Sequence, residues 1–569
     1  MKTYFKHATF ISTLLGLVLT LNLILPVQVV SGAKPPTKTP TPSGGPTATP
    51  TSSGGGAHAH YVDCSLGTNG NGSQASPWNS VTTASAHTYG PGDSLLFKRG
   101  ATCNGAFVAQ GSGSAAAPIT IADYGTGAQP IIDGGTTNET TIALTGVEYY
   151  NLSNLAVRGG SLWGVRIKAS TTNQALHHFY LTNLDISAVN HVALQRNDSG
   201  LLGIYTEGTA FSTISDVLVD GVTTHDTTAG AGMTIGGGDD WPCGVCGSNF
   251  TVRNSLSHDV YGDGIVLWEL NNGLIENNVA YRSGMCPIGA CSGSTPVGIW
   301  TWNTNGMVIQ NNESYGHHTW ATAGGDGGGF DVDGDNHNNT LQYNYAHDSE
   351  GFCAAVYDFG SGDITSNTVF RYNLCTNNAQ RVVGYGEIRV ASWQGGRIDS
   401  MQIYNNTFYY NPGPGVVDGD TAALRMSAVY TGNSIFKNNI LYSNLQRLMR
   451  TESELAHDYN LYYTPGLGYQ FKLGAATYFN SLSEWQAGTG HDLHSLTAEP
   501  KLNGLGYHGV GMPTLANGFY TLQVGSPALN VGTNVCAVSC VGGSMGTRDY
   551  FGITLDATHN IGAYEGNGQ

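Results

Sequence analysis

The sequence predicts an all-β solenoid, a parallel β-helix of short strands wound into stacked coils, and three observations carry that prediction. The first is composition: 80 of 569 residues are glycine, and charged residues make up only 11%. Few charges with much Gly, Asn, Ser and Thr suit many short strands and tight turns rather than amphipathic helices. The second is a repeat in which an aliphatic or aromatic residue precedes a polar pair: VRNS at 252, IENN at 275, IQNN at 309, LQYN at 341, FRYN at 370, IYNN at 403 and FKNN at 436. Its fourth position is Ser255, then Asn278, Asn312, Asn344, Asn373, Asn406 and Asn439, at intervals of 23 to 34 residues. The third is a second strand after most repeats: GIVLWE at 264, GIWTWN at 298, GGFDVDG at 328, GEIRVAS at 386 and ALRMSAV at 423. A unit of 23 residues suffices for one circuit of three short strands. Stacked circuits set equivalent side chains about 4.8 Å apart, so a repeated Asn bonds to its own copies. Longer units carry inserted loops on one side. A β-propeller needs four strands in about 40 residues, more than these units hold.

The elements before the repeat read as export machinery. Lys2 and Lys6 precede an apolar run from Phe10 to Leu25, and Val29-Val30-Ser31-Gly32-Ala33 supplies small residues for cleavage. Residues 1–33 are therefore expected to be a signal peptide, with an uncleaved anchor as the alternative. Residues 34–58 are a Pro/Thr-rich, then Gly-rich linker. The β-helix with its N-terminal cap is expected over 59–500. Residues 501–569 break the repeat, and a solenoid must cover its terminal coil, so they read as a C-terminal capping segment. The expected product is a secreted monomer, free or held to the cell surface by the linker. The formal net charge of −17 argues against nucleic acid and anionic membranes as partners. Ten cysteines fit export and fall into local pairs: Cys64 with Cys103, Cys243 with Cys246, Cys286 with Cys291, Cys353 with Cys375, and Cys536 with Cys540. Zinc held by Cys243, Cys246, Cys286 and Cys291 is the alternative for that quartet.

Residues 61–105 contain a Gly/Asn turn, Ser76-Pro77-Trp78, and Gly90-Pro91-Gly92-Asp93 leading into Leu95-Leu96-Phe97-Lys98-Arg99-Gly100. The chain closes on Asn560-Ile561-Gly562-Ala563-Tyr564-Glu565. Together these resemble the opening and ending of secreted bacterial β-helix repeat proteins of the pectate-lyase-like superfamily, with Asn560 where that ending commonly has Asp. The resemblance covers residues 60–569 and implies the pectin lyase fold, a right-handed helix. It does not fix an activity, because the superfamily holds lyases, hydrolases, isomerases and non-catalytic adhesins.

Taking Ile265, Ile299, Phe330 and Ile388 as equivalent inward positions, alternation sets the outward ones. One outward column reads Val266, Trp300, Asp331 and later Arg389; the next reads Trp268, Trp302, Asp333 and Ala391. The intervening coil at 352 offers either Tyr357 or Asp358. Stacked tryptophans beside stacked aspartates make a sugar platform with carboxylates at hand. Trp268, Trp300, Trp302, His317, His318, Tyr357, Glu387 and Arg389 are thus candidate substrate-binding residues. The alternative for the tryptophans is packing beneath the loop at 283–297.

Asp331 and Asp333 on one strand lie about 6.6 Å apart at Cα. Glycosidase carboxylate pairs lie about 5–5.5 Å apart when retaining and 6.5–9.5 Å when inverting, so either geometry is reachable. Two such like charges also separate into an acid and a base. Asp331, Asp333 and Glu350 are the candidate catalytic carboxylates, followed by Asp326, Glu387 and Glu269. The recurring His225-Asp226, His258-Asp259 and His347-Asp348 pairs read as structural turns, and Asp239-Asp240-Trp241 as an unplaced insertion.

Three functions follow. A two-carboxylate glycoside hydrolase, needing no cofactor, is favoured. A polysaccharide lyase would need a base such as Arg389 and Ca²⁺ held by Asp331, Asp333 and Asp335, but the candidate face is nearly free of lysine and lacks the basic surroundings a polyuronate wants. A non-catalytic glycan-binding or cell-surface protein is the third. Neither the Asn-Thr-Asp of polygalacturonase-like hydrolases nor a pectate-lyase-type Arg/Lys motif is present.

Overall fold

A computed structural model describes residues 58–190, 199–206, 211–228, 230–237, 245–285, 296–319, 325–360, 362–381, 384–413, 421–453 and 455–569. The chain winds as a parallel β-helix. Each circuit contributes one strand to each of three sheets, and every sheet holds 14 strands in sequence order. One circuit illustrates the path: Val308–Gln310 in the first sheet, an Asn turn, Glu313–Tyr315 in the second, a longer connection, and Gly328–Asp333 in the third. Strand pairing is parallel except for one hairpin at the end of the third sheet, where Gln470–Leu473 pairs with Thr477–Phe479. A fourth, three-stranded sheet sits between the third and first, formed by Ile364–Ser366, Arg397–Asp399 and Tyr430–Thr431.

The asparagine turn is a hydrogen-bonded ladder. The Asn278 backbone N–H and Nδ2 both donate to Asn312 Oδ1, at 2.9 and 3.0 Å. The same pair of bonds runs on through Asn344, Asn373, Asn406, Asn439 and Asn460. The residue before each rung has positive φ, including Asn277, Asn311, Asn405 and Asn438. Asparagine tolerates that conformation best among non-glycine residues, which accounts for the doubled Asn of the repeat. Tyr343 and Tyr372 occupy two of these strained positions. Their hydroxyls donate to the Arg548 carbonyl and to Glu565, so a tertiary contact replaces local preference.

Two short helices close the ends of the core. α1 (Val81–Ser85) is N-capped by Ser80 and buries Val81 and Ala84. α2 (Leu482–Thr489) is capped by Ser481, stops at left-handed Gly490, and seats the fully buried Trp485 against Phe471. Residues 501–569 run back along the side of the helix. There Leu502, Tyr520, Leu522, Tyr550, Ile561 and Tyr564 form a second core with Tyr345, Tyr372 and Tyr404. Cys64–Cys103, Cys353–Cys375 and Cys536–Cys540 are disulfides. Cys246 is also disulfide-bonded, which opposes the zinc reading, while Cys243, Cys286 and Cys291 lie outside the described residues. Among the described residues, no helix is long and apolar enough to cross a membrane.

Candidate active site

The third sheet holds the candidate groove. Ile265, Ile299, Phe330, Ala354, Ile388 and Leu424 form one row across six coils and point into the core. The next positions face outward as Val266, Trp300, Asp331, Ala355, Arg389 and Arg425. Two positions further, Trp268, Trp302, Asp333, Tyr357, Ala391 and Ser427 form a second outward column. Tyr357, rather than Asp358, is thus the outward residue of its coil, and Asp358 is fully buried.

Trp300 is 4% and Asp331 2% exposed, and Trp300 belongs to an apolar cluster with Val297, Phe352, Ala355, Tyr357 and Ala391. Trp268 meets Trp300 edge-on at 5.9 Å. Trp300 therefore supports the floor, while half-buried Trp268 and Trp302 offer the more accessible rings. Trp302 packs against Phe359 at 5.0 Å, and Phe359 stacks on Trp393, which is 41% exposed. Gly334, at φ 68°, lies under the Trp302 ring, where an added Cβ would sit 3.3 Å from it. Asp333 is half-buried between Trp302 on one neighbouring coil and Tyr357 on the other.

Asp331 does not stand alone. The Tyr385 hydroxyl donates to Asp326, and burial together with the charges of Asp326 and Asp331 pushes that phenol above its ordinary range. Burial, Tyr385, Asp326 and Asp331 push the Tyr357 phenol up as well, while Arg389 acts in the opposite direction on both. The cluster is therefore Asp326, Asp331, Tyr357 and Tyr385, with Arg389 two coils from Asp331 and Asp333 next along the strand. Two phenols held protonated beside two carboxylates are fixed hydrogen-bond donors.

The remaining candidates lie elsewhere. Glu387 is fully buried inside the coil, where Asn378 donates to both its oxygens; burial outweighs those bonds and raises its pKa to about 8. It does not reach the groove. His317 is also internal, held by Ser314 Oγ at 2.8 Å and lowered to about 3 by burial. His318 is half-exposed beside Glu350. Glu350 accepts from Arg381 at 3.0 Å, from His318 and from the Thr319 N–H, and these partners hold its pKa below the usual carboxylate value despite burial. It braces loops and is ill suited to carry a proton. Glu269 is buried beside Cys246, and burial raises it to about 7.

Asp335 has left the strand with φ 47° and pairs with His337. Among the described residues, Asp331, Asp333 and Asp335 do not bring ligand atoms within 4.8 Å of one another. The expected lack of basic surroundings also needs correcting: the Asp331 column continues through Arg389, Arg425, Arg450 and Lys472 on consecutive coils.

Sequence reasoning ranked Asp326 low and missed Tyr385 and Trp393. Extending the Arg389–Ala391 alternation by one step finds Trp393. Tyr385 lies before its strand, and no pattern marks it. The His-Asp turns behave as read: His225, His258, Tyr281, Tyr315 and His347 stack in one column of the second sheet, at 4.7 to 5.1 Å. Asp239, Asp240 and Trp241 lie outside the described residues.

The chain is a right-handed parallel β-helix protein. The family described as "Right handed beta helix region" matches residues 141–395, across the middle of the helix and the groove. A lacto-N-biosidase of Bifidobacterium longum is 26% identical over 491 residues, covering 69% of this chain but only 29% of its own length. The crystal structure of a GH136 lacto-N-biosidase from Eubacterium ramulus superposes with a TM-score of 0.50 at 18% identity, over 66% of this chain and 67% of that one. A pectate lyase superposes over 89% of this chain with a TM-score of 0.38 at 14% identity.

Proposed function

We propose that this protein is a secreted glycoside hydrolase that cleaves a glycosidic bond of an oligosaccharide or polysaccharide lying in the groove of the third sheet. The observation that carries the reading is the adjacency of Trp300 and Trp302 to Asp331 and Asp333 in two outward columns. Asp326 and Tyr385 complete the constellation. The lacto-N-biosidases among its relatives support hydrolysis over other chemistries.

In this reading, sugar rings lie on Trp268, Trp302 and Trp393, with C–H bonds against the aromatic faces. Asp331 and Asp333 supply the two carboxylates that glycoside hydrolysis requires, and Asp326 takes the third place given above to Glu350. Carboxylates sharing one site do not all ionise, so one holds the proton for the leaving oxygen. The partner attacks the anomeric carbon or activates a water. Tyr357 and Tyr385 hold the carboxylates and the substrate hydroxyls in place. No cofactor enters this mechanism.

A second reading, a lyase acting on an acidic polysaccharide, draws on the column Arg389, Arg425, Arg450 and Lys472, whose charge suits uronate groups. In that reading Asp331, Asp333 and Asp335 would hold Ca²⁺, with their side chains turned toward one another.

The test incubates the protein with neutral and acidic polysaccharides and with oligosaccharides carrying the lacto-N-biose unit, with and without EDTA. New reducing ends that form without near-ultraviolet absorbance and resist EDTA establish the hydrolase. Absorbance from an unsaturated product establishes the lyase. Binding without cleavage of any substrate leaves the non-catalytic glycan-binding protein.

A further inference from the structure

Two clusters of metal-ligand side chains occur among the described residues, and neither lies in the groove. Cys353, Cys375 and Glu387 form one, but its two sulfurs are joined to each other. The other lies at the opposite end of the molecule from α2. There His60, His87 and Asp93 each offer a ligand atom, all within 4.8 Å of one another.

Three separate elements build this second cluster. His60 is on the first strand, Ala59–Val62; His87 follows α1; and Asp93 precedes Ser94–Lys98, the strand that pairs with the first. The imidazoles lie 4.2 Å apart at their centroids. His60 stacks flat on Trp78 at 5.0 Å and 8°, and His87 meets Tyr89 at 4.8 Å and 76°. Aromatic neighbours thus fix both rings, and the nitrogen-bearing edges gather with Asp93. Neither ring hydrogen-bonds to a protein group among the described residues. Asp93 is buried, and its two oxygens accept the backbone N–H groups of His58 and Gly90, at 2.9 and 2.7 Å. Those bonds orient the carboxylate and leave each oxygen a lone pair, the outer support that metal-ligating carboxylates have. The His58 ring adds a third imidazole, with Nδ1 3.7 Å from Asp93 Oδ1.

We propose that His60, His87 and Asp93, with His58 as the fourth ligand, form a binding site for a divalent transition-metal ion of the zinc type. Imidazole nitrogens with one carboxylate match zinc, copper or nickel, whereas calcium and magnesium take oxygen ligands. Tetrahedral zinc holds its donors about 3.3 Å apart, so small side-chain rotations close the set. The bound ion ties the first strand to the turn beyond α1. It would thereby fasten the terminal coil, which has a neighbour on one side only.

The full chain, stripped with chelator and dialysed, is titrated with Zn²⁺ by calorimetry and with Co²⁺ by visible absorption. One equivalent of zinc, the absorption of tetrahedral Co²⁺ and a rise in melting temperature of several degrees are expected. His60→Phe with His87→Phe keeps the stacking on Trp78 and Tyr89 and should abolish all three signals, with an unchanged circular dichroism spectrum. A wild-type measurement guards against misfolding of the variant: Zn²⁺ should protect His60 and His87 from diethylpyrocarbonate. No stoichiometric binding, equal binding by the double variant, or full modification of both histidines under saturating zinc would each overturn the proposal.

Discussion

The second and third sheets present outward columns of opposite character on the same scaffold. On the second, the rings of His225, His258, Tyr281, Tyr315 and His347 stack in sequence, and the three histidines pair through ring nitrogens with adjacent acids. The returning C-terminal segment covers part of this column, with Gly511 donating to Glu313 and His508 pairing with Asp348. On the third, the outward positions change type across the central coils, from Trp300 and Trp302 to Asp331 and Asp333 and then to Ala355 and Tyr357, before a run of arginines begins at Arg389. Stacking identical groups is the cheap way to fill a ladder, because each rung satisfies the next. A stretch of column that changes type from one coil to the next gains nothing from repetition and is the one to suspect of chemistry.

The largest expected effect breaks the comparison at its centre. Asp331→Asn should lower kcat by about 10³-fold or more, equivalent to about 4 kcal/mol, with little change in melting temperature. A loss of stability with activity retained would make Asp331 one more structural rung.

Next in size is the interior ladder. Asn373 is fully buried; its Oδ1 accepts from the Asn344 N–H and Nδ2, and its own Nδ2 donates to Asn406 and to the Leu341 carbonyl. Asn373→Ala orphans several of these groups at about 1–3 kcal/mol each, so a loss of about 3 kcal/mol is expected in denaturant unfolding. Kinetics of the folded fraction should be unchanged.

Glu387 gives a pH signature. Its folded pKa of about 8 lies above the ordinary value of 4.5, so folding takes up a proton between them. Its contribution to stability is full below about pH 4.5 and is lost as pH rises through 8. The wild type should lose up to about 5 kcal/mol over that window at about 1.4 kcal/mol per pKa unit, and Glu387→Gln should flatten the slope. An identical slope in the variant would place the titrating group elsewhere.

Trp302 tests the platform. Trp302→Ala should raise KM about tenfold, about 1.4 kcal/mol of binding, and leave kcat within about threefold. Equal losses in kcat would mean that the ring positions Asp333 rather than the sugar.

What was legible in the sequence follows the same division. The Asn turn and the alternation of GGFDVDG are periodic, so the helix and the register of the groove strands could be read directly. Three kinds of feature could not. Asn460 continues the ladder after His457-Asp458-Tyr459, which lacks the usual aliphatic opening. Tyr385 and Asp326 come from connections whose paths no period fixes, and Glu387 turns inward because it precedes the first paired residue of its strand. The path of residues 501–569 depends on contacts as distant in sequence as Asn311 with Arg548. Local pattern reveals stacked strands; it does not reveal what a loop or a returning tail lies against.

The smallest effect concerns the repetitive column itself. His225 pairs with Asp185 at 3.2 Å and Asp226 at 2.8 Å, and these acids raise its pKa above 6.5 despite partial burial. Its own pairing therefore stabilises the fold fully below pH 6.5 and fades as pH rises through the raised value. Asp185 has the opposite sign: His225 lowers its pKa, so its share is lost as pH falls through that lowered value. The pair contributes most in the window between those limits. Because both partners are partly solvated, His225→Gln should cost under about 1 kcal/mol near pH 6 and less at pH 9. Melting curves of the two proteins should converge over that interval while activity stays equal. If His225→Gln instead removed activity, this column too would hold a functional group, and repetition would no longer separate scaffold from site.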